Sequence, residues 1–246
     1  MRYKITVEYD GTNLVGWQKQ KDGPSVQEFL EKAIKGFSHQ NVEVYGAGRT
    51  DAGVHALEQI AHFDLASNKD EFKIQESINA LLRELSAPVS VIKTEIVDQN
   101  FHSRFSAKGR GYIYRILNRR APSPLLTNRV WLVPYNLDVN IMKEGAKYLL
   151  GNHDFSSFRG AGCQARSPIK TLDKLDIERI GDEIIFTVEA RSFIYHQVRN
   201  MVGTLKEVGN KRISPEDVKL ILEAKDRTKA GISAPACGLY LNKVMY

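Results

Sequence analysis

The stretch NVEVYGAGRTDAGVHALEQIAHFDL, residues 41–65, contains two runs in which apolar and polar residues alternate, 41–48 and 57–65. Alternation with a period of two predicts β-strands. A glycine-containing segment, residues 49–56, connects the two strands, either as a tight hairpin or as a longer excursion. A direct strand-to-strand connection of this kind fits the middle of a ferredoxin-like motif, which has a strand and a helix before it and a helix and a strand after it.

The segments on either side complete that motif. Residues 2–10 and 88–97 have the periodicity of strands, and residues 25–37 and 71–85 repeat apolar residues at helical spacing. Ser25 is a candidate N-cap for the first of these helices. The first hundred residues therefore predict the order β-α-β-β-α-β, an antiparallel sheet with helices on one face.

The rest of the chain also mixes strands and helices. Strands are predicted at residues 111–119, 130–133, 169–180, 183–192 and 239–246. Helices are predicted at residues 140–151, 195–209 and 214–224, and a polar loop at residues 152–168. We therefore expect an α+β fold of two halves, residues 1–105 and 106–246, whose antiparallel sheets flank a central cleft.

Composition and charge limit the classes of function. The 246 residues carry a net charge of +6, contain two cysteines, and include no apolar run long enough to span a membrane. We expect a cytoplasmic protein that is not bound to a membrane. Residues 99–137 contain no Asp or Glu but seven Arg or Lys, which indicates a surface for a polyanion. The alternative is a solvated basic surface without a function.

The loop GAGRTDAGVHA, residues 46–56, contains one carboxylate, Asp51. Its glycines permit a positive φ angle or the close approach of another chain. An aspartate in a turn is often only an Asx-turn or a helix cap. Arg49 could be its salt-bridge partner, which stabilises little when exposed. The spacing alone leaves these interpretations open.

Seven segments, in order, resemble the TruA family of tRNA pseudouridine synthases. They are EYDGTNLVGWQKQ (8–20), SVQEFLEKAI (25–34), GAGRTDAGVHA (46–56), FHSRFSAKGRGYIYRI (101–116), LLGNHDFSSFR (149–159), FIYHQVRNMVGTLKEVG (193–209) and APACGLYL (234–241). The resemblance implies the pseudouridine synthase fold, with ferredoxin-like or RRM-like halves. The chain departs from the family pattern at Leu14-Val15 and at Leu82-Arg83, which affects details of RNA contact and not the reaction.

The resemblance implies that uridines at about positions 38 to 40 of the tRNA anticodon stem-loop are isomerised to pseudouridine. The N1–C1′ bond breaks, the uracil turns, and C5 bonds to C1′, so no cofactor and no metal are expected. A glycosidase needs two carboxyl groups, whereas one can suffice when the leaving base returns to the same sugar. Whether the carboxylate bonds to the ribose or removes a sugar proton stays open.

The resemblance also implies roles for five residues. Asp51 is the expected catalytic group, and Arg49 pries out the target nucleotide or replaces it in the stack. Tyr112 stacks on the uracil, although strand alternation alone favours a core aromatic at this position. Arg199 pairs with Asp51 and keeps it ionised. Leu239 lines the pocket, although core packing explains this residue equally well.

The expected partner is tRNA, contacted by His102, Arg104, Lys108 and Arg110. The family implies a homodimer. Two other functions remain as alternatives: a tRNA-binding module or chaperone without chemistry, and a metal-dependent RNA hydrolase that uses Asp51 with histidines. The intact GRTDAG motif argues against the first. The histidine spacing, which is unlike that of metal ligands, argues against the second.

Overall fold

A computed structural model describes residues 1–66 and 68–246. The chain forms two compact units: unit 1 comprises Met1–Lys108 with Tyr240–Tyr246, and unit 2 comprises Gly109–Leu239. The predicted α+β class is confirmed, since five helices accompany strands that pair mainly in the antiparallel direction. The predicted division into residues 1–105 and 106–246 stays a prediction. Within the two described ranges, no helix is long and apolar enough to cross a bilayer.

The described residues form ten strands and five α-helices. The strands are β1 (Arg2–Tyr9), β2 (Tyr45–Gly46), β3 (His55–Asp64), β4 (Val89–Val97), β5 (Gly109–Leu117), β6 (Trp131–Leu132), β7 (Gly151–Asp154), β8 (Ile169–Ile180), β9 (Glu183–Ala190) and β10 (Leu239–Met245). The helices are α1 (Val26–Ser38), α2 (Glu71–Glu84), α3 (Val139–Lys147), α4 (Gln197–Gly209) and α5 (Pro215–Ala224).

Unit 1 has the predicted β-α-β-β-α-β order. Its strands lie in the order β4-β1-β3-β10, and β2 pairs with β3. Strand β1 is antiparallel to β3 and β4, so Ile5 lies opposite Ala61 on one side and Thr94 on the other. Strand β10 is parallel to β3, with Tyr240 opposite His55. The last strand of the chain therefore completes the sheet of the first unit.

The helices of unit 1 begin where the sequence predicts. The Ser25 hydroxyl accepts a hydrogen bond from the Glu28 N–H (3.2 Å), which confirms the predicted N-cap of α1. Asp70 caps α2 in the same way through the Lys73 N–H (3.1 Å). The apolar faces of both helices are buried, as are alternate residues of β1. The core of unit 1 therefore follows directly from the two periodicities of the sequence.

Unit 2 contains an antiparallel sheet in the order β5-β9-β8-β7, and β6 pairs in parallel with β5. The hairpin between β8 and β9 turns at Gly181, whose φ of +58° lies in the left-handed region. Helix α4 is buried over most of its length. The helix predicted over residues 140–151 is shorter, since α3 ends at Lys147.

Two predicted elements are wrong in detail. Residues 41–48 were expected to form a full strand, but the strand is limited to Tyr45–Gly46, which pairs with β3. The loop predicted at residues 152–168 begins within β7, in which Asn152 lies opposite Thr171 of β8. Strand β7 forms the edge of the sheet and its sequence is GNHD, so apolar alternation does not reveal it.

Candidate active site

Asp51 lies in the connection between β2 and β3. Its side chain is half-buried, Arg49 is exposed, and Thr50 between them is buried. The loop turns immediately after the carboxylate, because the Val54 N–H donates to the Asp51 carbonyl (3.2 Å) and Gly53 has a φ of +76°. The alternating exposure places Arg49 and Asp51 away from the core, while Thr50 anchors the loop.

The segment before α1 holds this loop through its backbone. The Trp17 N–H donates to the Thr50 carbonyl (3.1 Å), and the Gly53 N–H donates to the Leu14 carbonyl (3.4 Å). Gly16 has a φ of +106°, and a Cβ at this position would lie 2.3 Å from the Thr50 oxygen. Leu14 contributes a carbonyl, so a departure from the family pattern at this residue leaves the contact in place.

Two buried side chains also hold the loop, at Thr50 and at Gly48. The Tyr9 hydroxyl lies 2.8 Å from the Thr50 hydroxyl, and both groups are buried. Gln59 of β3 is fully buried and its Nε2 donates to the Gly48 carbonyl (2.9 Å). The Gln59 Oε1 atom is buried without a hydrogen-bond partner among the described residues. Arg49 and Asp51 therefore sit on a loop held from both sides.

In unit 2, Arg199 lies in the first turn of α4 and is half-buried. Its Nε donates to the Ala234 carbonyl (2.7 Å), and its guanidinium lies 3.1 Å from Nε2 of His196. The Ala234 N–H in turn donates to the Arg199 carbonyl (3.1 Å). The side chain and the backbone of Arg199 are thus both fixed by the segment that precedes β10.

The two tyrosines of β5 have different environments. Tyr114 is fully buried, and its hydroxyl donates to the Pro235 carbonyl (2.7 Å). Burial raises the pKa of Tyr114 well above its ordinary value. Tyr112 is half-buried and meets the Phe193 ring edge-on, with 5.2 Å between the ring centroids. Tyr112 therefore keeps part of its ring accessible. Leu239 is buried.

The residues predicted to contact tRNA fall in both units. His102, Arg104 and Lys108 belong to unit 1, and Arg104 and Lys108 are exposed. The Lys108 N–H donates to the Met245 carbonyl (2.8 Å). Arg110 of unit 2 is half-buried and donates to the Arg191 carbonyl (2.9 Å). The structure thus gives two of these side chains an open surface position and fixes a third by a hydrogen bond.

His55 and His62, the buried histidines of unit 1, pack against tyrosine rings of the same unit. Nδ1 of His62 accepts from the Ser103 N–H (3.2 Å), which an imidazolium cannot do. Burial, followed by the charge of Arg2, lowers the pKa of His62 to about 4. His55 stacks on Tyr240 with 4.6 Å between the rings. Within residues 1–66 and 68–246, no group of three or more His, Cys, Asp or Glu side chains could hold a metal ion.

An open pocket of about 720 Å³ lies in unit 2 at the start of α3 and the end of α4. Lys143, Lys211 and Arg179 line it, and none of the predicted site residues does. The Arg179 guanidinium is engaged by the Asn118 side chain and the Leu137 carbonyl. Asp138 also lines the pocket, and its carboxylate caps α3 by accepting a hydrogen bond from the Asn140 N–H (3.0 Å).

The mixed α+β architecture is consistent with the pseudouridine synthase fold. The sequence model of a family described as tRNA pseudouridine synthase matches residues 5–106 and 146–246. The chain belongs to this family of isomerases that act on tRNA, which confirms the resemblance seen in the sequence.

Several relatives match over the whole chain. A tRNA pseudouridine synthase A of Paramagnetospirillum magneticum is 54% identical over 245 residues, which cover 100% of this chain and 95% of the relative. Proteins of the same name from Wolbachia pipientis wMel and Ehrlichia chaffeensis are 52% and 50% identical, with 100% of both chains covered in each case. The chain is therefore similar to these enzymes along its entire length.

Proposed function

We propose that this enzyme converts uridine to pseudouridine at about positions 38 to 40 of the tRNA anticodon stem-loop, with Asp51 as its catalytic group and without a cofactor. One observation carries the proposal: the loop with the half-buried Asp51 is fastened at Gly48, Thr50 and Gly53 by groups from two other segments. An aspartate that only capped a turn would not need this support. The range of tRNA positions follows from the resemblance to the TruA family.

The proposed reaction is an internal rearrangement. The N1–C1′ bond breaks, the uracil turns within the site, and C5 bonds to C1′. C5 then loses a proton and N1 gains one, so the product is an isomer of the substrate. Asp51 acts on the sugar, either by bonding to C1′ or by removing a sugar proton. A second carboxyl group is unnecessary, because no water attacks the anomeric carbon.

The uridine has to leave its stack before Asp51 can reach C1′, at a cost on the order of a few kcal/mol. We assign Arg49 to this step, because it is exposed and lies two residues from the carboxylate on the same fixed loop. Tyr112 is the stacking partner of the flipped uracil. Its half-buried ring suits this role, whereas the Tyr114 ring is fully buried. A stacked ring tolerates rotation of the base in its own plane.

Arg199 is the proposed partner of Asp51. A guanidinium close to a carboxylate favours the ionised form and fixes its orientation. The hydrogen bonds to Ala234 and His196 support this role, because they hold the guanidinium in one position. Leu239 is the proposed apolar wall of the uracil site.

The proposal also includes the residues that contact tRNA, the oligomeric state and the cellular location of the enzyme. His102, Arg104, Lys108 and Arg110 contact the tRNA, and the enzyme works as a homodimer in the cytoplasm. Arginine and lysine neutralise phosphates, and the acid-free composition of residues 99–137 supports this surface. The oligomeric state follows from sedimentation at two protein concentrations.

Tritium release from tRNA labelled at C5 of uridine tests the chemistry, because C5 loses its hydrogen when it bonds to C1′. The assay compares the wild type with Asp51→Ala and Asp51→Asn, with a chelator present throughout. We expect release by the wild type and a loss of at least about 10³-fold in both variants, with tRNA binding retained. Asp173→Ala is the control, because Asp173 is an exposed aspartate of β8. Undiminished release by Asp51→Asn would refute the role of the carboxylate.

A further inference from the structure

Phe105 is 77% exposed, although it is a large apolar side chain. It lies at the tip of a turn in which Nδ1 of His102 accepts from the N–H groups of Arg104 (3.2 Å) and Phe105 (3.4 Å). The Ser106 hydroxyl accepts from the His102 N–H (3.0 Å), and the Ser106 N–H donates to the His102 carbonyl (2.9 Å). These four hydrogen bonds fix the backbone of residues 102–106, and the fixed turn keeps the Phe105 side chain at the surface.

The Phe105 ring is the outermost member of a series of aromatic rings. Its centroid lies 4.4 Å from that of His102, which lies 4.7 Å from that of His62. His62 in turn stacks on Tyr45 at 5.2 Å. Burial, followed by the charge of Arg2, lowers the pKa of His102. The imidazole therefore stays an acceptor at neutral pH, which preserves the turn.

The charges around the ring favour an anionic partner with a flat aromatic face. The Arg104 guanidinium lies 5.8 Å from the Phe105 ring centre, and both side chains are exposed. Lys108, three residues after Phe105, adds a second exposed cation. The sequence from residue 99 to 137 contains no acidic residue. Bases stack on aromatic side chains while phosphates bind arginine, so a nucleotide satisfies both features.

We propose that Phe105 and Arg104 form a subsite for one unpaired nucleotide of tRNA, with the base stacked on the Phe105 ring and a neighbouring phosphate on Arg104. The inference rests on the proposed function, since it takes tRNA as the ligand. The His102 ring is tilted by 39° against the Phe105 ring, and Phe105 is 77% exposed, so most of the ring surface is accessible to a base. A base within a duplex has both faces covered by its neighbours, which is why the subsite requires an unpaired one.

Binding of a tRNA transcript by Phe105→Ala, Phe105→Trp and wild type tests the subsite. We expect Phe105→Ala to weaken tRNA binding about tenfold or more, and Phe105→Trp to stay within about twofold of the wild type. Phe72→Ala is the matched control, because Phe72 is 70% exposed on α2 without an arginine beside it in the sequence. It should bind tRNA as the wild type does. Equal binding by Phe105→Ala and Phe72→Ala would overturn the proposal.

A second experiment distinguishes base stacking on Phe105 from phosphate binding by Arg104. Arg104→Ala should reduce the slope of log affinity against log salt by about one, whereas Phe105→Ala should leave this slope unchanged. A fully paired RNA duplex of equal length should bind Phe105→Ala and wild type alike. Equal losses on tRNA and duplex would exclude an unpaired base as the ligand. A change in sedimentation of Phe105→Ala without loss of tRNA affinity would assign the ring to contact with a second copy.

The binding experiments on Phe105 and the activity assays on Asp51 test the two proposals independently. Binding of tRNA by Phe105→Ala does not depend on turnover, and tritium release by Asp51→Ala does not depend on stacking at Phe105. If Asp51→Ala keeps its activity while Phe105→Ala loses affinity, the catalytic assignment is wrong and the subsite stands. If Asp51→Ala loses its activity while Phe105→Ala binds normally, the reverse holds.

Discussion

Gln59 is a buried side chain that holds the loop carrying Asp51. It is fully buried, donates to the Gly48 carbonyl, and has no partner for its Oε1 atom within residues 1–66 and 68–246. A buried acceptor without a partner costs about 1–3 kcal/mol, so a glutamine is a poor choice for packing alone. Its amide hydrogen bond fixes the residue directly before Arg49, which makes Gln59 a positioning residue for the loop.

Gln59→Leu should therefore separate stability from activity. The change removes the unpaired Oε1 acceptor but leaves the Gly48 carbonyl without its donor; because these two effects offset each other, the free energy of unfolding should change by less than about 1 kcal/mol. The turnover rate in tritium release should fall about 10- to 100-fold with little change in tRNA affinity, because small displacements of a catalytic group are costly. Thr94→Val is the control, since Thr94 of β4 also carries a buried oxygen that has no hydrogen-bond partner in the described part of the chain. If Gln59→Leu kept the wild-type turnover rate, Gln59 would contribute only to packing.

The sequence could predict single residues only where a motif identified them. Asp51 and Arg49 stand in a motif, but Gln59 is a polar residue inside a strand and resembles any solvent-facing position. Strand alternation places Tyr112 and Tyr114 on one face and cannot separate them. Their environments differ because Tyr114 is covered by the segment around Pro235 and Gly238, which lies more than a hundred residues away in the sequence.

At the scale of elements, the segment from β1 to α1 supports the loop between β2 and β3. Backbone hydrogen bonds join Trp17 to Thr50 and Gly53 to Leu14. The close approach depends on Gly16, where a Cβ would lie 2.3 Å from the Thr50 oxygen and 3.0 Å from the Asp51 carbonyl carbon. Any side chain at Gly16 has to displace the backbone that carries the proposed catalytic group.

Gly16→Ala should consequently impair both folding and turnover. The positive φ alone costs about 1–3 kcal/mol for a residue with a Cβ, and the overlap with Thr50 adds to this cost. Gly162→Ala is the matched control, because Gly162 also has a positive φ (+76°) but nothing lies within 4 Å of its Cβ position. Urea unfolding and tritium release should show a larger loss of stability and turnover for Gly16→Ala. Equal losses in both variants would attribute the effect to φ strain alone.

Elements with strong periodicity were predictable and short polar ones were not. Helices α1 and α2 and strands β1, β8 and β9 have apolar residues at regular spacing and lie where the sequence predicts. Strand β2 contains two residues, because the chain before Tyr45 does not pair with β3. Strand β7 pairs through its backbone while its GNHD side chains carry no apolar period.

At the scale of the whole molecule, the chain returns to its first unit at its end. From Tyr240 onward, β10 pairs in parallel with β3, and the Tyr246 hydroxyl donates to the Ser103 carbonyl (2.6 Å). The alternating sequence of residues 239–246 predicts a strand but not its partner. The paired residues lie almost two hundred positions apart in the sequence. Because the two strands are parallel, no tight turn joins them, and a tight turn is the sequence feature that identifies a pair of neighbouring strands.

Because β10 pairs with β3, the stability of unit 1 should depend on the C-terminal strand. Leu241 is 1% exposed in β10, and Leu205 is fully buried in α4 of unit 2. Each Leu→Ala substitution should cost about 2–5 kcal/mol through lost burial and a cavity. Native-state hydrogen exchange should show the larger loss of amide protection in β1 and β3 for Leu241→Ala, and in unit 2 for Leu205→Ala. If Leu241→Ala left β1 and β3 as protected as in the wild type, the C-terminal strand would not contribute to the stability of unit 1, and the Asp51 loop would depend on the N-terminal residues alone.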